Sequence, residues 1–195
     1  MNSHDAEPAT PPVSSGELLG FPPEARVLIV NCDDLGMHEA VNVAVIDSIE
    51  QGIAASCSLM TPCPAAHHAL RLLDDRGHAV RVWLQPGRQR MRDQGLPVVD
   101  NPFLDSFSLA VQDKALTYSR LLRDLPAGLS EWAVHPSLGT QETHAIDSGW
   151  LVRRTDYEFL TSAAARELLR DQEIIVIDYR LIQRAWTGGT SARPH

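Results

Sequence analysis

Short apolar runs alternate with amphipathic helical stretches along this chain, and that alternation constrains the fold more than any other feature. The strand-like runs are residues 26–30, 53–61, 79–84, 98–99, 131–135 and 174–179. The helix-like stretches are residues 39–51, 64–77, 88–92, 114–125 and 162–170. Strands that alternate with helices favour a mainly parallel sheet, either open or closed into a barrel. We therefore predict an α/β fold with a parallel sheet of about five or six strands.

The domain organisation follows from length and composition. A chain of 195 residues corresponds to one domain, and its 44% apolar and 22% charged residues are typical of a globular one. Residues 1–23 hold five prolines among serine, threonine and alanine, which predicts a disordered leader. We predict one α/β domain over residues 24–186 and a disordered tail over residues 187–195.

Charge and hydropathy exclude several classes of partner. The net charge is -8 and the basic residues form no stripe, so nucleic acid is not an expected partner. The longest apolar runs, such as residues 27–30, are far shorter than the ~18 residues of a membrane span. The three cysteines form no C-x-x-C pair, and residues 1–15 lack the features of a signal peptide. We therefore expect reduced thiols and a cytoplasmic protein.

Two adjacent carboxylates, Asp33 and Asp34, directly follow the first predicted strand in the sequence Asn-Cys-Asp-Asp-Leu-Gly. Functional groups of parallel α/β folds collect at this carboxyl end of the strands. Neighbouring side chains on an extended segment point in opposite directions, so one carboxylate can bind a divalent cation while the other acts as a base. The alternative is a turn that only caps the following helix.

A second candidate is His135, which ends the predicted strand at residues 131–135 and precedes a proline. A histidine here is a metal ligand, a general acid or a buried imidazole satisfied by backbone groups. His67 and His68 are neighbours on a predicted helix and cannot both chelate one ion, so they are expected at the surface. Because strand ends share one edge of the sheet, we predict that Asp33, Asp34 and His135 meet around one ion or water.

Several sequence blocks together form a recognisable pattern: VLIVNCDDLG at residues 27–36, Val41-Asn42, ASCSLM at 55–60, AVHPSLG at 133–139, and Arg154 with Glu158 and Leu160. In their order and spacing these blocks resemble the YdjC/ChbG carbohydrate deacetylases. The resemblance implies a (β/α) barrel-like glycoside hydrolase/deacetylase fold. It also implies metal-dependent removal of acetyl groups from N-acetylated oligosaccharides. By motif, Asp33 would be the catalytic base, Asp34 a ligand of Mg²⁺ or Zn²⁺, and His135 an acid, with Asn42 and Arg154 as substrate-binding residues.

The same resemblance also shows what this chain lacks. The family uses two histidine ligands, one in a Gly-x-His-Leu strand and one in a His-x-Asp-x-His segment, and neither motif occurs here. Trp83 stands where the strand histidine is expected. The chain thus resembles a shortened member with an incomplete barrel, whose open edge could pair in a homodimer. Two hypotheses follow: a metal-dependent deacetylase, or an inactive remnant that binds a carbohydrate or a partner.

Overall fold

The computed structural model describes residues 13–74 and 88–187 and contains a five-stranded sheet flanked by helices. The strands are β1 (Arg26–Leu35), β2 (Ser56–Leu59), β3 (Leu104–Asp105), β4 (Gly128–Val134) and β5 (Ile175–Val176). The helices are α1 (Ser15–Leu18), α2 (Glu39–Glu50), α3 (Ala66–Asp74), α4 (Arg88–Asp93), α5 (Lys114–Arg123), α6 (Gln141–Ile146), α7 (Trp150–Leu160), α8 (Ala163–Asp171) and α9 (Tyr179–Trp186). One 3-10 turn, Ser106–Ser108, follows β3.

Every strand pair in this sheet is parallel, which confirms the predicted α/β class. The central strand is β1, which pairs with β4 along one edge, from Arg26 opposite Gly128 to Cys32 opposite Val134. Its other edge is shared by β5 at the start and β2 at the end. Strand β3 lies beyond β4, and among the described strands no pairing joins β3 back to β2. The described sheet is therefore open.

The two faces of β1 are buried by different elements. Leu28, Val30 and Cys32 belong to the larger apolar cluster, which includes side chains of α2, α5, α7 and α8. Val27 and Ile29 point to the opposite face and pack in a smaller cluster with residues of α9. Since side chains alternate along a strand, Asn31 and Asp33 continue this second face toward the carboxyl end. The polar residues of the site thus stand above the smaller cluster.

The prediction of a disordered leader over residues 1–23 is wrong for Ser15–Leu18, which form α1. Ser14 caps α1 in a reciprocal arrangement with Glu17, and Ser15 is buried. The Asp100 carboxylate accepts hydrogen bonds from the backbone N and the Oγ of Ser15 at 2.9 and 3.0 Å. These contacts fix α1 against the segment before β4. A composition argument misses them because they depend on a carboxylate distant in the sequence.

Other predictions fail at element boundaries or fall outside the described residues. Residues 98–99 form no strand, and the backbone N of Val98 donates instead to Ser15 Oγ at 3.0 Å. The last strand is only Ile175–Val176, because Asp178 caps α9 and starts a helix at Tyr179. The predicted strand at residues 79–84 lies outside the described residues. In the described part of the chain no helix is long and apolar enough to cross a membrane.

Candidate functional site

The carboxyl end of β1 turns sharply, and the turn separates the two adjacent carboxylates. The pairing of β1 with β2 is irregular between Cys32 and Leu35, and Asp34 has a φ of 67°, in the left-handed region. Gly36 follows with a φ of 99°, and a Cβ there would lie 3.0 Å from the carbonyl oxygen of Met60. Only glycine fits this approach without a shift. The turn directs Asp33 and Asp34 to different partners.

Asp33 is held between β1, β2 and β4. Its Oδ1 accepts hydrogen bonds from Asn31 Nδ2 at 2.5 Å and from Ser58 Oγ at 2.6 Å. Its Oδ2 lies 3.9 Å from His135 Nε2. Burial raises the pKa of the Asp33 carboxyl, while the Ser58 hydrogen bond and His135 lower it, and the net direction is upward. A raised pKa makes this carboxylate a stronger base than a free aspartate.

His135 presents one ring nitrogen to Asp33 and the other to a supporting hydroxyl. Its Nδ1 lies 2.8 Å from Ser106 Oγ, on the 3-10 turn after β3. The ring of Phe107 meets the imidazole edge-on, with centroids 4.6 Å apart. Hydrogen bonding at Nδ1 orients the ring and leaves Nε2 for proton transfer. The structure thus brings Asp33 and His135 together at the carboxyl edge.

A fully buried ionic network supports the end of β4 below His135. The Asp156 Oδ2 accepts from the backbone N of His135 at 2.9 Å, and Oδ1 accepts from the Tyr118 hydroxyl at 2.8 Å. Lys114 Nζ lies 2.5 Å from the same Oδ1. Burial lowers the pKa of Lys114, while Asp156 raises it. This network ties α5 and α7 to the strand that carries His135.

Asp34 pairs with an arginine that the sequence prediction did not include. Its Oδ2 lies 2.8 Å from Arg153 Nη2, on α7. Arg153 also donates from Nε to Asp147, and its guanidinium lies 5.2 Å from the Phe107 ring centroid. Its Nη1 is buried and has no hydrogen-bond partner among the described residues. Asp34 is thus neutralised by a side chain of the protein itself.

The described residues do not fit a divalent-cation site at Asp34. Such ions need several oxygen, nitrogen or sulfur ligands around one point. Within residues 13–74 and 88–187, no three His, Cys, Asp or Glu side chains are grouped to hold a metal ion. The carboxylate of Asp34 faces a guanidinium instead. The metal-ligand role of Asp34 stays a prediction, and this geometry does not support it.

Asn42 and Arg154 contact other parts of the protein. Asn42 is fully buried; its Oδ1 accepts from Gly36 N at 2.6 Å and its Nδ2 donates to Ala65 O at 3.0 Å. Arg154 pairs with Glu158 and donates to Leu138 O at 2.8 Å. Both fix loops beside the site, Asn42 at the end of β1 and Arg154 after β4. Their substrate-binding roles stay predictions.

The three cysteines are free thiols in the structure. Cys32 and Cys57 are register partners on β1 and β2. Burial raises the pKa of Cys57 to about 11, and it raises that of Cys32 well above the usual thiol value. Thiols with such raised pKa values are poor nucleophiles at neutral pH. Cys32 and Cys57 therefore contribute to packing in the larger apolar cluster.

The residues of the site that were missed at the sequence level include Ser106, Phe107, Asp147 and Arg153. A usable signal existed for Arg153, because the buried residues of α7 are Arg153, Asp156, Phe159 and Leu160, at helical spacing. That stripe selects Arg153 over the adjacent Arg154 as the inward-facing arginine. Ser106 and Phe107 reach the site through a single 3-10 turn, and no periodic pattern predicts their position.

Comparisons with known proteins agree with the sequence resemblance. The family model described as YdjC-like protein matches residues 27–82. A carbohydrate deacetylase of Geobacillus stearothermophilus is 33% identical over 131 residues, which cover 63% of this chain and 49% of that protein. One of Thermoanaerobacter pseudethanolicus is 36% identical over 66 residues, 32% of this chain and 26% of that protein. The chain thus spans at most about half the length of these two relatives.

A solved structure shares the fold. It is the crystal structure of a protein from Enterococcus faecalis V583 described as a candidate cellobiose-phosphate cleavage protein. The TM-score is 0.59 at 14% sequence identity, and the match covers 80% of this chain and 98% of that one. At this identity the likeness concerns the fold alone.

Proposed function

We propose that this chain, in which residues 27–82 match the YdjC-like family model, is a carbohydrate deacetylase-like hydrolase of that family. Its site is the carboxyl edge of the sheet around Asp33 and His135, and its ligand is a short N-acetylated oligosaccharide. The observation that carries this proposal is the pairing of a carboxylate and an imidazole at 3.9 Å, on neighbouring parallel strands. An acid and a base at this spacing suit hydrolysis of an acetamide.

The proposed reaction uses the two side chains in sequence. Asp33 accepts a proton from water as the water oxygen bonds to the acetamide carbonyl carbon. His135 donates a proton to the amide nitrogen as the C–N bond breaks, which releases acetate and the free amine of the sugar. The raised pKa of Asp33 favours proton acceptance. Ser106 positions His135 through Nδ1, so that Nε2 faces Asp33.

The surroundings of the pair suit a sugar. Phe107 lies against His135 and is 41% exposed, so it offers an apolar surface beside the two polar groups. Ligand sites typically combine apolar walls with a few placed polar groups. A sugar ring has both kinds of surface, with hydroxyl groups at its rim and C–H groups on its faces.

A second candidate is a protein of the same fold that binds the sugar without hydrolysing it. The Arg153–Asp34 ion pair favours this alternative, since a guanidinium cannot activate water as a bound metal ion does. The two candidates share the ligand and differ in turnover. One set of measurements therefore separates them.

The test is a titration of the full chain with an N-acetylated chito-oligosaccharide and with its deacetylated counterpart of equal length, with acetate release assayed in parallel. We expect saturable binding of the acetylated form and slow acetate release. Asp33→Asn and His135→Gln should each lower the release by about 10² to 10⁴-fold. The control is Glu167→Gln, the same carboxylate-to-amide change at an exposed position of α8, which should leave release unchanged.

Two outcomes contradict the proposal or replace it. Saturable binding without any acetate release supports the binding protein and overturns the hydrolase. Absence of saturable binding to either oligosaccharide overturns both candidates.

A further inference from the structure

Arg153 is a cation built into the site. Its guanidinium lies between Asp34 and Asp147 and donates to both carboxylates. A guanidinium stays protonated in proteins, so this positive charge is permanent. We propose that Arg153 takes the position of a divalent metal ion beside Asp34, so that this site binds its ligand without a metal.

The first support is the distance between the charges. The carboxylate oxygen of Asp34 is 2.8 Å from Arg153 Nη2. A divalent ion binds a carboxylate oxygen at about 2.0–2.6 Å, and at this oxygen it would sit close to the guanidinium. Two positive charges at such a separation repel each other strongly in a partly buried site. Metal binding at this oxygen would therefore require Arg153 to move away.

The second support is that Arg153 is anchored from several directions. Its side chain is 7% exposed, and its guanidinium is paired with Asp147 and lies beside the Phe107 ring. Its backbone carbonyl accepts a hydrogen bond from Ser137 N at 3.2 Å, in the loop after β4. Moving the guanidinium would break its contacts with Asp147 and Phe107 and leave Asp147 without its ion-pair partner. The arrangement thus resists exchange of the guanidinium for a metal ion.

The third support is the unpartnered Nη1 of Arg153, which is buried and has no acceptor among the described residues. Buried donors are nearly always hydrogen-bonded, so an unpartnered one points to an acceptor that the described residues do not supply. A carbonyl or hydroxyl oxygen of a ligand, or a water, is such an acceptor. Arg153 therefore combines a fixed positive charge beside Asp34 with a donor that has no acceptor among the described residues.

The test is calorimetric titration of the full chain with Mn²⁺ and with Zn²⁺, with Mn²⁺ binding also followed by electron paramagnetic resonance. We expect the wild-type chain and the Asp34→Asn variant to give the same weak binding. Arg153→Met removes the guanidinium and frees Asp34 and Asp147, so it should raise Mn²⁺ affinity at least 10-fold. Adding Asp34→Asn to Arg153→Met should remove that gain.

The matched control is Arg170→Met, the same substitution at an exposed position of α8. It should leave Mn²⁺ affinity at the wild-type value. The inference is overturned if the wild-type chain binds either metal tightly and Asp34→Asn loses that binding. An Arg153→Met variant that folds and gains no affinity also overturns it.

Two features keep this test decisive. The comparison of wild type with Asp34→Asn needs no Arg153 variant, so it holds even if Arg153→Met fails to fold. The inference is also separable from the proposed function, because metal is titrated in the absence of sugar. Tight metal binding at Asp34 in the wild-type chain would overturn the inference. It would not change the result of the oligosaccharide titration.

Discussion

Two ion pairs lie beside the carboxyl ends of neighbouring strands, and they differ in how completely they are enclosed. In the Lys114–Asp156 pair the side chains are 1% and 0% exposed; in the Arg153–Asp34 pair they are 7% and 25% exposed. Asp156 uses both oxygens on partners of the protein, whereas Arg153 keeps one unpartnered nitrogen. The first pair supports the site, and the second forms part of it.

This difference shows that two similar ion pairs have different roles according to how completely they are buried. Lys114 is the only lysine of the chain, and its side chain is buried rather than exposed to solvent. Burying an ion pair costs desolvation energy that only complete hydrogen bonding offsets. The network around Asp156 meets that condition and fixes the backbone of His135. The pair at Asp34 stays partly open, which suits a group that faces a ligand.

The strongest test of this comparison is Lys114→Met. It leaves the Asp156 carboxylate buried without a counter-charge, and breaking a buried pair in this way typically costs about 3–5 kcal/mol. We expect a loss of that size in the free energy of unfolding, measured by urea denaturation at neutral pH. Arg120→Met, at an exposed position of the same helix, should change it by less than about 0.5 kcal/mol.

A second readout sharpens the same test, because the chain has one lysine. In the folded protein an amine-reactive reagent should leave Lys114 unmodified, and in urea it should modify it, as read by peptide mass spectrometry. A loss below about 1 kcal/mol in Lys114→Met, or rapid labelling of Lys114 in the native protein, would show that this pair is not the enclosed support described above.

The intermediate effect is expected for Arg153→Met, which removes the cation from the more open pair. Asp34 is partly exposed, so water replaces part of the lost interaction, and we expect a destabilisation of about 1–2 kcal/mol. Urea denaturation beside Lys114→Met measures the difference directly. Equal losses in the two variants would break the comparison, since they would mean that both pairs are equally enclosed.

The fold was more predictable than the site. Strands β1, β2 and β4 were predicted from short apolar runs, and helices α2, α3, α5 and α8 from amphipathic stretches, because burial of each kind of element leaves its own pattern in the sequence. The edge where Asp33 and His135 meet also followed from strand ends. What could not be predicted was which partners each group meets.

Those partners depend on packing between distant elements. Asp147 precedes α7 and reaches Arg153 only because the turn before that helix folds back, with Asp147 accepting from Gly149 N at 2.7 Å. Ser106 reaches His135 through pairing of the two-residue strand β3 with β4. Such short segments carry no periodic signal. Sequence reasoning placed Asp33 and Asp34 at the correct edge of the sheet. It missed Arg153, which forms an ion pair with Asp34.

The smallest expected effect, and the one that reports on the site alone, is the stability of Asp33→Asn. The pKa of Asp33 is raised in the folded protein, so between the unfolded and folded pKa values the folded state holds a proton that the unfolded chain releases. Stability contributed by this group therefore falls as pH rises through that window, and it stays lower at neutral pH.

Asparagine carries no charge and still offers Oδ1 to Asn31 and Ser58, so it removes this loss. We expect Asp33→Asn to unfold at a higher urea concentration than wild type at pH 7, with a free energy of unfolding that is larger by roughly 0.5–1 kcal/mol. Acetate release should decline in the same variant. The gain should vanish at a pH below the unfolded carboxyl pKa, where Asp33 is protonated in both states. A variant that is less stable than wild type at pH 7 would mean that the ionised carboxylate is favourable in the fold. Asp33 would then resemble Asp156, an ionised carboxylate that stabilises the fold. The distinction between the ion pair that supports the site and the groups that form it would fail at Asp33.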